Sequence, residues 1–246
     1  MYLFKKMLFV TLLIFCSSNV WAQRELLAED RTKQNDTTPS RGKNEPNYTH
    51  TFIGLGMLLG KAEEGMDIGY GRSLQFMSGM RYKRKLSGMF ALGLEPAYKY
   101  TGINFNKKEA NTFLDTTFWG KGTDTTHHLE KLGLHTASLG GFLRINFDPK
   151  RGNTIGTFLD LGVAGDYIFA NNYTTKGELA NGTFVKTRFT RNDFISRFQY
   201  NYFARFGYNW LAVKCSYRPS PLFKSSYNFP DAPKFVAGVE MSLFGR

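Results

Sequence analysis

Between positions 51 and 60 the apolar residues Ile53, Leu55, Met57 and Leu59 alternate with Phe52, Gly54, Gly56, Leu58 and Gly60. A period of two sends successive side chains to opposite faces of an extended strand. The period returns along the chain. Leu74, Phe76, Met80 and Tyr82 stand against Gln75, Gly79, Arg81 and Lys83, and the run Phe90, Leu92, Leu94, Pro96, Tyr98, Tyr100 against Ala91, Gly93, Glu95, Ala97 and Lys99. A fourth strand falls within 129–146, where the period is blurred. The fifth sets Ile155, Leu159, Leu161, Val163, Tyr167 and Phe169 against Gly156, Asp160, Gly162, Ala164 and Asp166. In the sixth, Phe198, Tyr200, Tyr202, Ala204, Phe206 and Tyr208 interleave with Arg197, Gln199, Asn201, Phe203, Arg205 and Gly207. Leu211, Val213, Cys215 and Tyr217 against Ala212, Lys214, Ser216 and Arg218 make a seventh. Phe235, Ala237, Val239, Met241 and Leu243 against Val236, Gly238, Glu240, Ser242 and Phe244 make an eighth.

The connections alternate too. Those near 84–88, 148–153 and 207–210 are short, whereas 61–72, 104–128, 170–194 and 219–234 are long and polar. Eight antiparallel strands with short turns at one end and long loops at the other are the pattern of a transmembrane β-barrel, with turns and termini in the periplasm and loops outside. The alternative is a soluble barrel, in which the apolar set points inward. The composition of the polar face decides between them. It mixes Arg, Lys, Asp and Glu with Gly54, Gly56, Gly79, Gly93, Gly156, Gly162 and Gly238. Glycine gains nothing on a face open to water, but the narrow interior of an eight-stranded barrel needs small residues beside long ones. The fold expected is therefore all-β, an eight-stranded antiparallel transmembrane barrel over 49–246 with its charged face inward. The apolar face also carries aromatics toward strand ends (Tyr98, Tyr100, Tyr167, Phe169, Phe206, Tyr208, Trp210), as suits a membrane interface.

The start of the chain fits export. Lys5 and Lys6 precede an apolar run from Met7 to Cys16, and Val20-Trp21-Ala22 offers small residues at −3 and −1. Residues 1–22 are expected to be a cleaved signal peptide, the apolar run being too short to span a bilayer as a helix. The bulky Phe15 before Cys16 argues against lipidation. Residues 23–48, polar and carrying Pro39 and Pro46, are expected to be a disordered lead-in. Only Cys215 then remains, so no intramolecular disulfide forms. The net charge of +12 is spread over many segments and forms no Lys/Arg block, which argues against nucleic acid and for acidic envelope surfaces such as lipopolysaccharide phosphates and anionic lipids.

Over 51–246 the arrangement resembles the small porin-like outer-membrane β-barrel proteins of the Bacteroidota, and is similar in architecture to the transmembrane domain of outer-membrane protein A. The closest local likenesses are His128-Leu129-Glu130-Lys131-Leu132 and the terminal strand from Phe235 to Phe244. In such proteins the last strand ends on an aromatic residue that the barrel-insertion machinery recognises, whereas here Gly245 and Arg246 follow Phe244. The resemblance implies an outer-membrane location. Asp-Thr-Thr triplets at Asp36, Asp115 and Asp124 resemble the O-glycosylation signal of exported proteins in that group.

Some eight-stranded barrels act on lipid A, which makes any His, Ser and acid set near a rim a candidate. His135 and Ser138 are three apart and take opposite faces of a strand. His127 and His128 beside Asp124 read as solvated loop histidines. No enzyme, cofactor or metal is expected. The candidate site is instead a lumen charge network of Arg81, Lys83, Glu95, Lys99, Asp160, Asp166, Arg197, Arg205, Lys214, Arg218 and Glu240. Charges removed from water must pair. If they close on one another they form a plug, and if they leave a water thread the cationic excess favours anions. The first reading is a structural or interaction barrel that presents loops 104–128 and 170–194 to an envelope or extracellular protein. The second is a narrow, weakly anion-preferring pore, and the third a lipid-modifying enzyme.

Overall fold

The computed structural model describes residues 43–245 apart from 61–62, 64–67, 106–124, 151, 153, 180–182, 191–192 and 228. The signal peptide, nearly all of the lead-in and the three Asp-Thr-Thr aspartates lie outside the described residues. Among the described residues nine strands follow one another: β1 (Asn47–Leu59), β2 (Leu74–Lys85), β3 (Phe90–Phe105), β4 (Thr125–Asn146), β5 (Thr157–Leu179), β6 (Phe184–Thr190), β7 (Phe198–Tyr208), β8 (Leu211–Tyr217) and β9 (Phe235–Gly245). All pairings are antiparallel. The sheet runs β4-β3-β2-β1-β9-β8-β7-β5, and the β4–β5 pairing closes it into a barrel of eight staves. Closure gives every stave two partners over the barrel's common height and removes the edges of an open sheet there, while β6, among the described residues, pairs with β5 alone.

Eight staves arise from nine strands because the sixth stave is interrupted. The first half of β5 pairs with β7, from Thr157 opposite Tyr208 to Tyr167 opposite Phe198, and its second half pairs with β6, from Asn172 opposite Thr190 to Glu178 opposite Phe184. Between β6 and β7 the chain leaves the sheet, burying Phe194 and Ile195, and Ile195 bridges to Phe223. This corrects the reading of 170–194 as a displayed loop, since most of it is a hairpin prolonging the wall. Asn172, Thr174 and Lys176 alternate with the buried Tyr173 and Thr175 there, but polar residues on both faces hide a strand from a hydrophobicity pattern. The fourth strand runs the whole of Thr125–Asn146. β1 begins at Asn47, so the last residues of the expected lead-in belong to the sheet. Tyr48 is buried there beside Ile155, Phe158 and Ala212.

The alternation resolves into an inside and an outside. In β7 the residues Gln199, Asn201, Phe203, Arg205 and Gly207 are buried while their neighbours are exposed. In β1, Phe52, Gly54, Gly56 and Leu58 turn inward and Leu55, Met57 and Leu59 outward. The apolar set covers the outer wall and the charged set fills the interior. Glycines make the room: a Cβ on Gly93 or Gly162 would overlap the Phe142 side chain, and one on Gly207 the Phe158 ring.

Candidate functional site

The lumen is layered. At the short-turn end it is filled by Tyr48, Phe158, Ile155 and Ala212. Above them one row of side chains crosses the barrel, because Arg144 faces Asp160 across β4–β5, Asp160 faces Arg205 across β5–β7, and Arg205 faces Lys214 across β7–β8. Asp160 accepts from Arg144 Nε at 2.6 Å and Nη2 at 2.8 Å, and from Arg205 Nη1 at 2.8 Å. Glu95 of β3 accepts from Arg81 Nε at 2.7 Å, from Lys214 Nζ at 3.0 Å and from Arg205 Nη2. Glu240 of β9 accepts from Arg81 Nη2 at 2.7 Å and lies 2.7 Å from Arg205 Nε and 3.0 Å from Lys214 Nζ, ion contacts without hydrogen-bond alignment. Arg81, Arg144, Arg205 and Asp160 are almost wholly buried.

Aromatic rings sandwich this layer. The Arg144 guanidinium lies 3.8 Å from the Phe158 ring centre, Arg81 lies 4.4 Å from that of Phe52, and Lys214 Nζ 4.7 Å from that of Phe203. Such contacts offset part of the desolvation of the cations while the carboxylates supply the rest. His50, also buried, stacks on Tyr48 at 5.1 Å, and its Nε2 is 3.3 Å from Arg81 Nη1.

Further along the barrel, Lys99 Nζ bonds both oxygens of Asp166 at 3.0 Å, and Asn201 Nδ2 adds a bond at 2.9 Å. Beyond this pair is a cavity of about 70 Å³ lined by Gln75, Gln199, Asn201 and Arg218 among others, room for one or two waters. A lid then closes that end. Ile68, Phe194, Ile195, Leu222, Phe223 and Ala232, from three different connections, pack on the wall residues Leu58, Ile103, Leu132, Leu134, Ile168 and Tyr173. Arg218 braces it, donating to Asp231 at 3.2 Å, to the Ala232 carbonyl at 3.1 Å and to the Ser220 carbonyl, while Asp231 receives the Leu222 N–H at 2.9 Å.

Of the residues expected to form one network, Arg81, Glu95, Asp160, Arg205, Lys214 and Glu240 meet in a single cluster, and Lys99 pairs with Asp166 beside it. Three are placed otherwise. Arg197 is exposed just before β7, since the chain is still leaving the lid there and the strand period does not yet govern its direction. Arg218 belongs to the lid brace. Lys83 is buried at the turn end, where its Nζ donates to the Lys43 carbonyl at 2.9 Å and lies 5.5 Å from the Tyr48 ring centre. Two members went unread in the sequence, His50 and Arg144. The spacing Leu139, Gly141, Leu143, Ile145 put Arg144 on the opposite face, but the adjacent Gly140 and Gly141 blurred that signal.

His135 turns outward against Tyr98, Tyr100 and Phe169, with Tyr98 Oη 2.7 Å from its Nδ1, whereas Ser138 is buried in the lumen. The His127, His128 and Asp124 side chains lie outside the described residues. Among the described residues no three His, Cys, Asp or Glu side chains converge as a metal site.

No protein-family model and no curated protein matches the chain. Among solved structures it is similar to Ail, the attachment invasion locus protein of Yersinia pestis, at 11% identity over 81% of this chain and 100% of that one, with a TM-score of 0.36. Neisserial surface protein A is 13% identical over 81% of this chain and 98% of its own, with a TM-score of 0.31. A major outer membrane protein from Thermus thermophilus is 12% identical over 79% and 99%, with a TM-score of 0.34. On its own strand pairing the chain is a closed eight-stave antiparallel barrel, apolar outside and charged within.

Proposed function

We propose that this is an outer-membrane β-barrel protein with a structural or interaction role, its lumen closed by the charged layer and the lid. One observation carries the reading. Large apolar side chains such as Leu55, Leu94, Leu139, Val163, Phe206 and Val239 are exposed around the wall, while Arg81, Asp160 and Arg205 are withdrawn from the surface. In water that arrangement exposes a far larger apolar patch than a soluble monomer carries, and in a bilayer it is the favoured one. At roughly 3.3 Å per residue and a tilt near 40°, an 11-residue strand such as β7 climbs about 28 Å, close to the height of a barrel's apolar band. Tyr82, Phe90, Phe147, Phe206, Tyr208 and Trp210 gird the turn end, and Tyr98, Tyr167, Phe198, Tyr217 and Phe235 the lid end. On this reading the connections 86–89, 147–156 and 209–210 face the periplasm, and the β5–β6 hairpin rises outside the cell as the surface offered to an envelope or extracellular protein. An origin in the Bacteroidota and recognition of the β9 end by the insertion machinery are part of the proposal, and rest on the sequence arrangement.

A pore is the second reading, favoured by the polar cavity between the Lys99–Asp166 pair and the lid. Cell fractionation, with electrophoresis of unheated and boiled protein in detergent, tests the first. Recovery in the outer membrane with a heat-dependent shift is expected, and a soluble unshifted protein sinks it. Planar-bilayer recording separates the two readings. No steady single-channel current is expected, and an anion-selective current that falls on Arg205→Gln favours the pore.

A further inference from the structure

The wall formed by β3, β4, β5 and β6 carries a feature that the closed lumen does not use. Just beyond the aromatic cluster of Tyr98, Tyr100, His135 and Phe169, an outward-facing cleft of about 500 Å³ is lined by Lys131, Lys176, Lys186 and Arg188 together with Tyr100, His135, Asn172 and Thr174, and none of its lining residues is acidic. The cleft has a built floor. Gly102 and Gly133 are directly paired across β3–β4 with their missing side chains on the outer face, the Lys131 stem lies over Gly102, and the Asn172 amide and Tyr100 hydroxyl lie over Gly133. The Lys131 ammonium is held 5.8 Å from the Tyr100 ring centre.

The pairing itself points to an anion. Lys176 and Lys186 are direct partners across β5–β6, and Lys131 and Arg188 both oppose Thr174 from its two sides. Like charges directly opposed on one face of a sheet destabilise the pair, so four cations about one recess favour a multiply charged anion seated between them.

The same wall says what that anion is attached to. Toward the turn end, the aromatic cluster gives way to an apolar stretch in which the exposed Leu139 and Val163 flank Gly165, about 26 Å along the strands from Lys131. A Cβ at Gly165 would meet open space, so the wall has a gap there. Cationic cleft, aromatic step and apolar gap follow the order of headgroup, interface and acyl chain in a bilayer. We propose that this outer wall binds a membrane lipid bearing a phosphate monoester, its phosphate among Lys131, Lys176, Lys186 and Arg188 and an acyl chain running past His135 to Gly165. The proposal rests on the membrane reading above and names the lipid class it would hold in place.

The test uses the full-length mature chain in dodecyl maltoside, titrated with dipalmitoyl phosphatidic acid, dipalmitoyl phosphatidylcholine or inorganic phosphate and read by native mass spectrometry. Phosphatidic acid is expected to bind one to one, at least tenfold more tightly than either of the others. K186Q/R188Q weakens it about 20- to 30-fold, two surface cations' worth, and G165L weakens it several-fold while leaving inorganic phosphate unaffected. Both variants keep the heat-dependent gel shift. Equal binding to K186Q/R188Q and unaltered protein overturns the proposal. So does equal affinity for inorganic phosphate and phosphatidic acid with no effect of G165L, which marks a free-anion site. A protein recovered in the outer membrane that binds no phosphatidic acid defeats this inference alone, whereas an unaltered protein with no gel shift defeats the membrane reading beneath it.

Discussion

Asp160 and Arg205 face each other across the β5–β7 pair, and Arg205 Nη1 donates to Asp160 Oδ2 at 2.8 Å while the other carboxylate oxygen is taken by Arg144 from β4. One carboxylate thus holds two buried guanidiniums on opposite sides of its own strand. Asp160→Asn keeps the shape and removes the charge, leaving both cations undercompensated. Loss of one partner from a buried pair costs about 3–5 kcal/mol, and urea unfolding in detergent is expected to show a loss of that size. Arg197→Gln, at an exposed position, is expected to stay within about 0.5 kcal/mol of the unaltered protein. Equal effects would mean that the charged layer is not a unit.

The outer wall makes a prediction of opposite sense to that for a soluble protein. Leu94, 54% exposed, lies near the middle of the apolar band. Leu94→Arg is expected to cost roughly 2–4 kcal/mol in lipid vesicles, measured as a shift of the reversible urea transition. An unchanged or improved stability would place that face in water.

Cys215 is the free thiol of β8 and faces outward between Val213 and Tyr217. In vesicles a charged, membrane-impermeant maleimide is expected to leave it unlabelled, and a small lipophilic maleimide to label it. Unfolding in urea makes both reagents effective. Rapid labelling by the charged reagent in vesicles contradicts a lipid-facing β8.

Phe194 anchors the lid against Phe223 and Phe229, with ring centres 6.0 and 5.8 Å away. Phe194→Ala is expected to destabilise by about 3 kcal/mol without producing channel current, because the Arg81–Glu95–Arg205–Glu240 layer still closes the lumen. A steady current in this variant alone would identify the lid as the gate of a pore.

Much of this architecture is legible in the residue pattern. The period of two in β1, β3, β7 and β9 reports a strand whose faces meet different surroundings, and glycine beside arginine on one face identifies the interior. Those signals are local, so they survive in a sequence. The second half of β5 and all of β6 are not legible as strands, since polar residues suit both faces there. The lid is hidden for a related reason: Ile68, Phe194, Ile195, Leu222 and Phe223 are short apolar interruptions in polar connections, and only their convergence at one mouth makes them a core.

The sequence by itself determined that this chain forms alternating strands with a charged, glycine-bearing face, because side-chain direction along a strand follows from backbone geometry alone. Which charges meet was decided by the tertiary structure. Strand register set Arg144 beside Asp160 and brought four cations from three strands to one cleft on the outer wall, barrel closure set Glu95 beside Arg205 from a distant part of the chain, and the exit from the lid turned Arg197 out to solvent. Ion pairing acts over a few ångströms, and those distances exist only once the barrel has closed.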